Sequence, residues 1–155
     1  MSKQSAGVLM YRRRDGCVEV FLVHPGGPFW TKKDLGAWSI PKGEYGEDEQ
    51  PMAAAVREFQ EETSFAVEGD LQKLGTVKQA GGKVVTAWYV EGDFDPAGLR
   101  SNSFEMEWPP RSGRMAEFPE VDRARWFTLA SAREYLLKGQ VPFLEMLEEL
   151  LGRKL

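Results

Sequence analysis

Apolar residues first gather at positions 6–11 and again at 19–23, where Val20, Phe21, Leu22 and Val23 run without a polar break. Between these runs, Arg12-Arg13-Arg14-Asp15-Gly16 ends in the Asp-Gly pair that favours a tight hairpin turn. The pattern predicts two antiparallel strands. His24-Pro25-Gly26-Gly27-Pro28 is a loop by composition, and Trp38-Ser39-Ile40 predicts a brief strand stopped by Pro41. Over 51–63 the period changes to 3.6, with Met52, Ala55, Val56, Phe59 and Thr63 on one stripe, which predicts a helix. Asp48 is its expected N-cap, with Glu49 and Gln50 in the first turn and Pro51 tolerated there.

Two more strands are expected over 71–78 and 84–90, joined through Gly81-Gly82. Positions 93–119 are broken by Pro96, Gly98, Pro109, Pro110, Gly113 and Pro119, which predicts loop around one or two short strands. A loop of that length in a small domain is more often functional than decorative. A last strand at 124–127 and helices near 129–138 and 142–151 close the chain, the final one packing through Phe143, Leu144, Leu147, Leu150 and Leu151. The succession predicts one α/β (α+β) domain over 1–155, a mixed sheet with helices on its faces.

With 42% hydrophobic and 28% charged residues, the chain can build a core and is not globally disordered. Its net charge of −4 disfavours a protein whose main task is wrapping nucleic acid. The lone cysteine, Cys17, cannot form an internal disulfide and reads as a buried or edge residue in a reducing compartment. The start, Met1-Ser2-Lys3-Gln4, shows no signal-like stretch, and no segment is long enough to cross a bilayer. These features give the expectation of a cytoplasmic monomer or homodimer without a membrane partner.

Arg57-Glu58-Phe59-Gln60-Glu61-Glu62 carries the chemistry. Glu58, Glu61 and Glu62 are related by three and four residues, so they share one strip of the helix, apart from the Ala55–Phe59 stripe. Stacked like charges cost helix stability, and Mg²⁺ or Mn²⁺ would offset that cost, because both prefer carboxylate oxygens. From the hexapeptide alone, a solvated acidic face reads the same way.

The surroundings separate the two. Gly43 is followed after five residues by Glu49, then after seven by Arg57-Glu58, with Phe59 apolar, Glu61-Glu62 paired and Phe65 closing. In this the chain resembles the Nudix hydrolase family, over a 23-residue signature that departs only at Ser64, where the family has glycine. Ala6-Gly7-Val8 and Trp38-Ser39-Ile40-Pro41-Lys42-Gly43 resemble family patterns as well. The resemblance implies an α/β/α sandwich and Mg²⁺ (or Mn²⁺) held by Glu58, Glu61 and Glu62 with the backbone carbonyl of Lys42. It gives Arg57 the task of orienting the acids, with Glu49 as its outer partner.

It further implies attack by water on a pyrophosphate bond. Glu120, six residues before Trp126, resembles the later glutamate of the asymmetrical diadenosine tetraphosphate hydrolases and of the RNA pyrophosphohydrolases. It is the chosen base or additional metal ligand, with Glu105, Glu107 and Glu117 as rivals. Lys42 and Arg12 are the candidate phosphate contacts; Lys32-Lys33 and Arg13-Arg14 read as solvated. A purine needs an exposed ring near the metals, and Tyr89 is chosen, with Trp88, Phe104 and Trp108 as alternatives. Alternation puts Trp88 and Tyr89 on opposite faces, so at most one serves. His24 is expected to pack and hydrogen-bond rather than react. The expected activity is hydrolysis of diadenosine polyphosphates. The alternatives are a nucleoside triphosphate, an ADP-sugar or an RNA 5′ end (the last disfavoured by charge), or a silent nucleotide-binding module.

Overall fold

A computed structural model describes residues 3–153; Met1, Ser2, Lys154 and Leu155, which the expected domain span includes, lie outside the described residues. The expected hairpin forms from β1 (Gln4–Arg14) and β2 (Cys17–Pro25). Asp15 and Gly16 turn it with φ of 53° and 79°, the left-handed pair that a two-residue hairpin needs. Cys17 is exposed at the first position of β2.

The two strands pair only from Tyr11 to Arg14 and then diverge. The start of β1 pairs instead with β3 (Lys42–Glu44), Gly7 opposite Lys42 and Ser5 opposite Glu44. Just upstream, Ser39 exchanges two backbone bonds of 2.9 Å with Val23 of β2. The chain from Ser39 to Glu44 is therefore a wedge between diverging strands, and it brings Lys42 and Gly43 to one end of the sheet. The expected strand at Trp38-Ser39-Ile40 shrinks to single bridges because it pairs with β2 at one residue only.

β4 (Gln72–Lys78), β5 (Val84–Glu91) and β8 (Val121–Thr128) complete a sheet ordered β4-β5-β1-β2-β8, with β1 and β5 parallel and the other pairs antiparallel. Helices cover both faces. Helix α1 (Pro51–Thr63) lays Ala54, Ala55 and Phe59 on Ala6, Val8, Met10 and Phe21. On the other face α2 (Leu129–Tyr135) and α3 (Val141–Arg153) contribute Ala132, Phe143, Leu144 and Leu147 to a core with Leu9, Leu22, Val85 and Phe127. Coverage on both sides explains why β1 and β2 read as continuous apolar runs rather than alternating ones. This is the expected α/β/α sandwich. Among the described residues no helix is long and apolar enough to cross a membrane.

Two local expectations fail. The N-cap of α1 is Gln50, without a side-chain cap bond, rather than Asp48; Pro51 starts the helix, needing no partner for a missing N–H. Met52 is exposed and Ala54 takes its place in the buried stripe. The broken region holds two short strands, β6 (Ser103–Glu107) and β7 (Met115–Pro119), paired as a hairpin outside the main sheet.

Candidate active site

Arg57 on α1 organises the acids. Its Nε and one terminal nitrogen fork onto the Glu49 carboxylate at 2.7 and 2.8 Å. The other terminal nitrogen donates to Glu58 at 2.9 Å and to both oxygens of Glu61 at 3.2 Å. A planar guanidinium can hold three carboxylates this way where an ammonium cannot. Glu62 faces the wedge, accepting from the Lys42 backbone N–H at 3.3 Å. Gly43 lies so close to Glu58 that a Cβ there would fall inside its carboxylate, so any side chain at 43 would push Glu58 out of this position.

Helix α1 ends at Ser64, whose φ of 68° is the left-handed geometry that glycine adopts more freely; its N–H still closes on the Gln60 carbonyl at 2.7 Å. From there a relay of backbone bonds places Glu120. The Asn102 N–H donates to the Glu61 carbonyl at 2.9 Å, and the Glu120 N–H to the Asn102 carbonyl at 2.7 Å. The Glu120 carbonyl accepts from the Gly26 N–H at 2.9 Å. Glu120 is thus fixed relative to the helix although 58 positions separate it from Glu62.

Burial pushes the Glu62 carboxyl up to about 8, against the opposing pull of the Lys42 N–H and ammonium. Glu58 is raised by burial and by Glu61, and Glu120 by partial desolvation and by Glu61. Burial lowers the Lys42 ammonium from the ordinary lysine range. Glu62, Glu120, Lys42, Lys83, Trp30 and Ser39 line one cavity of 340 Å³ where the wedge meets α1. Lys83 and Trp30 carried no local signal. One follows a glycine turn and the other sits in a Gly/Pro-rich loop, and only the fold brings them to the acids.

Residues 1–147 match the NUDIX domain family. The chain belongs to that family. It is similar in fold to a C. elegans Ap4A hydrolase binary complex, at TM-score 0.67 and 21% identity over 97% of this chain and 98% of that one. The NUDIX domain of Shewanella oneidensis NrtR complexed with ADP ribose is as similar, at TM-score 0.67 and 19% identity over 97% of this chain and 89% of that one. The C-terminal domain of mouse MUTYH, complexed with human PCNA, gives 0.63 and 20% over 98% and 91%. No curated protein matches the chain by sequence. The chain is a Nudix pyrophosphohydrolase, a class that hydrolyses pyrophosphate bonds in nucleoside derivatives.

The acids suit the divalent ion that Nudix hydrolases generally use. Three raised carboxyls and the glycine-floored approach at Glu58 form an all-oxygen donor set with more acid than its neighbouring cations neutralise. Among the described residues no three acids are gathered at ligand spacing; Arg57 binds Glu58 and Glu61, and the Lys42 N–H binds Glu62.

Two expected substrate contacts lie elsewhere. Arg12 is near the far end of β1, bonded to Glu19 at 2.7 Å and Asp93 at 2.8 Å and stacked over Trp126 at 4.3 Å. It lies five residue steps along the strand from Gly7 beside the wedge, about 17 Å. Tyr89 cannot stack a base, because pairing opposite Leu9 turns it to the face covered by α3, where it is buried and donates to Gln72 at 2.9 Å. Trp88 is buried under the α1 face.

His24 is fully buried, its ring nitrogens 2.8 Å from Asp122 and 2.6 Å from the Lys33 carbonyl, in the packing role expected. Glu105, Glu107 and Glu117 are exposed on the hairpin, and Glu120 alone of these four lines the cavity. Phe104 packs with Phe118, and Trp108 meets Phe29.

Proposed function

We propose that this Nudix hydrolase cleaves dinucleoside polyphosphates of the diadenosine type in a Mg²⁺-dependent reaction, with Mn²⁺ as a substitute. The supporting observation is the cavity in which two lysines and two glutamates meet beside the Arg57-bound acids. Glu58, Glu61, Glu62, the Lys42 carbonyl and Glu120 would hold the metal, which supplies charge neutralisation and an activated water. Arg57 keeps the carboxylates in register and itself touches neither substrate nor metal. Lys42 and Lys83 bind phosphate oxygens, and Trp30 walls the nucleotide on the side of the β2 loop. Glu120 accepts the proton of the attacking water at its carboxylate as the P–O bond to the leaving nucleoside phosphate breaks.

The test is a panel of diadenosine tetraphosphate, ADP-ribose, a nucleoside triphosphate and 5′-triphosphorylated RNA, with Mg²⁺ in heavy-oxygen water. Diadenosine tetraphosphate should give ATP and AMP with label in only one of them. An even split into two ADP contradicts the register of attack. Cleavage of ADP-ribose, the ligand of the Shewanella neighbour, or of the triphosphate without cleavage of the dinucleotide moves the substrate class and leaves the metal chemistry standing. A well-folded protein that cleaves none of the four contradicts this substrate reading and favours the silent nucleotide-binding module.

A further inference from the structure

Two consecutive aromatic residues in the loop after β2 have different surroundings. Trp30 lines the catalytic cavity, while Phe29 is 60% exposed. Trp108 of the β6–β7 hairpin meets Phe29 edge-on, ring centres 5.6 Å apart and planes at 83°. The hairpin is anchored on this loop by Phe104, whose ring a Cβ on Gly27 would approach to 3.0 Å. The same two segments carry exposed cations: Lys32 and Lys33 in the loop, Arg111 and Arg114 at the hairpin tip. The Lys33 ammonium lies 5.0 Å from the ring centre of Trp30, the cavity-lining neighbour of Phe29.

Leaving a phenylalanine ring in water forgoes the stabilisation of burying it. The cavity itself, at 340 Å³, is near the lower end of ligand-pocket size and suits one nucleotide rather than two. A ligand with two nucleosides must place one outside. Aromatic faces interleaved with cations are the chemistry that takes up bases and phosphates together.

We infer that Phe29 and Trp108, outside the cavity and next to its wall at Trp30, form a subsite that stacks the second nucleoside of a dinucleoside polyphosphate whose first nucleotide lies inside. This rests on the substrate class proposed above. With the rings at right angles, one base stacks on one ring and meets the other at its edge.

The experiment compares diadenosine tetraphosphate with adenosine 5′-tetraphosphate, which has the same phosphate chain and lacks the second nucleoside. Phe29→Ala and Trp108→Ala should each raise KM for the dinucleotide by about fivefold to a hundredfold, the span of one base–aromatic stack. The dinucleotide kcat and both constants for the mononucleotide should stay unchanged. Phe29→Tyr, which keeps the ring, should restore KM and guards against a variant that disturbs the hairpin. Equal changes on both substrates, or none on the dinucleotide, overturn the subsite. Wild-type protein that cleaves the mononucleotide alone also overturns it and leaves the pyrophosphohydrolase in place. If neither substrate is cleaved, the proposed reaction fails, and equilibrium dialysis of the same two compounds decides the subsite. The dinucleotide should then bind the more tightly by that factor and lose its advantage in Phe29→Ala, whereas equal affinities overturn the inference. A KM rise confined to triphosphorylated RNA overturns it too.

Discussion

Beside each end of β1 an arginine is set among carboxylates, Arg12 on the strand itself and Arg57 on α1, and the two clusters differ in what remains unpaired. Near the hairpin, Arg12 and Arg14 face Glu19 and Asp93, two guanidiniums for two carboxylates. At the wedge, Arg57 alone serves Glu49, Glu58 and Glu61, while Glu62 and Glu120 stand in the same field with Lys42 beside them. Both arginines are held above their ordinary range by their partners, so the state of the arginine does not distinguish the ends. The surplus of acid does. A balanced cluster joins strands, and an overloaded one is arranged for a cation that arrives from solution.

The largest effect should come from chelation. EDTA is expected to abolish hydrolysis and added Mg²⁺ to restore it; undiminished turnover in EDTA would show that the surplus acids need no cation. Next comes Glu120→Gln, expected to lower kcat by roughly a hundredfold or more, the usual contribution of a positioned base, with an unchanged melting temperature. A kcat within twofold of wild type would reduce Glu120 to a loop acid. Arg57→Lys keeps the charge and loses the fork, and should cost about ten- to a hundredfold in rate, as loss of a ligand-orienting partner does elsewhere. Equal rates would mean that charge suffices. The smallest effect belongs to the balanced end. Arg12→Gln should leave kcat and KM unchanged and lower stability by about 1–3 kcal/mol in a urea melt, because the partly buried Glu19 loses its charged partner. A large loss of activity there would break the contrast between the ends.

What could be read in advance was local. Asp15-Gly16 specifies its turn, and the 3.6 period and Glu strip mark Pro51–Thr63, because these signals lie within a few residues of the structure they make. Edges were harder to read. Asp48 looks like a cap, but Pro51 begins the helix without one, and Met52 fits a stripe that the fold shifts to Ala54. The substrate side depends on pairings remote in sequence. Tyr89 faces α3 because it lies opposite Leu9, and Arg12 is distant because β1 is fully extended. Lys83 and Trp30 enter the cavity only because the Ser39–Glu44 segment parts β1 from β2. The hairpin of β6 and β7 was foreseen as short strands in a broken loop, but its seat on Gly27 was not.

The most direct test of the contrast is Mn²⁺ binding by isothermal calorimetry to wild type, Glu62→Gln and Arg12→Gln. Binding should be lost or strongly weakened in Glu62→Gln and unchanged in Arg12→Gln. Full affinity in a folded Glu62→Gln protein, or its loss in Arg12→Gln, would contradict the assignment of the cation to the wedge end of β1.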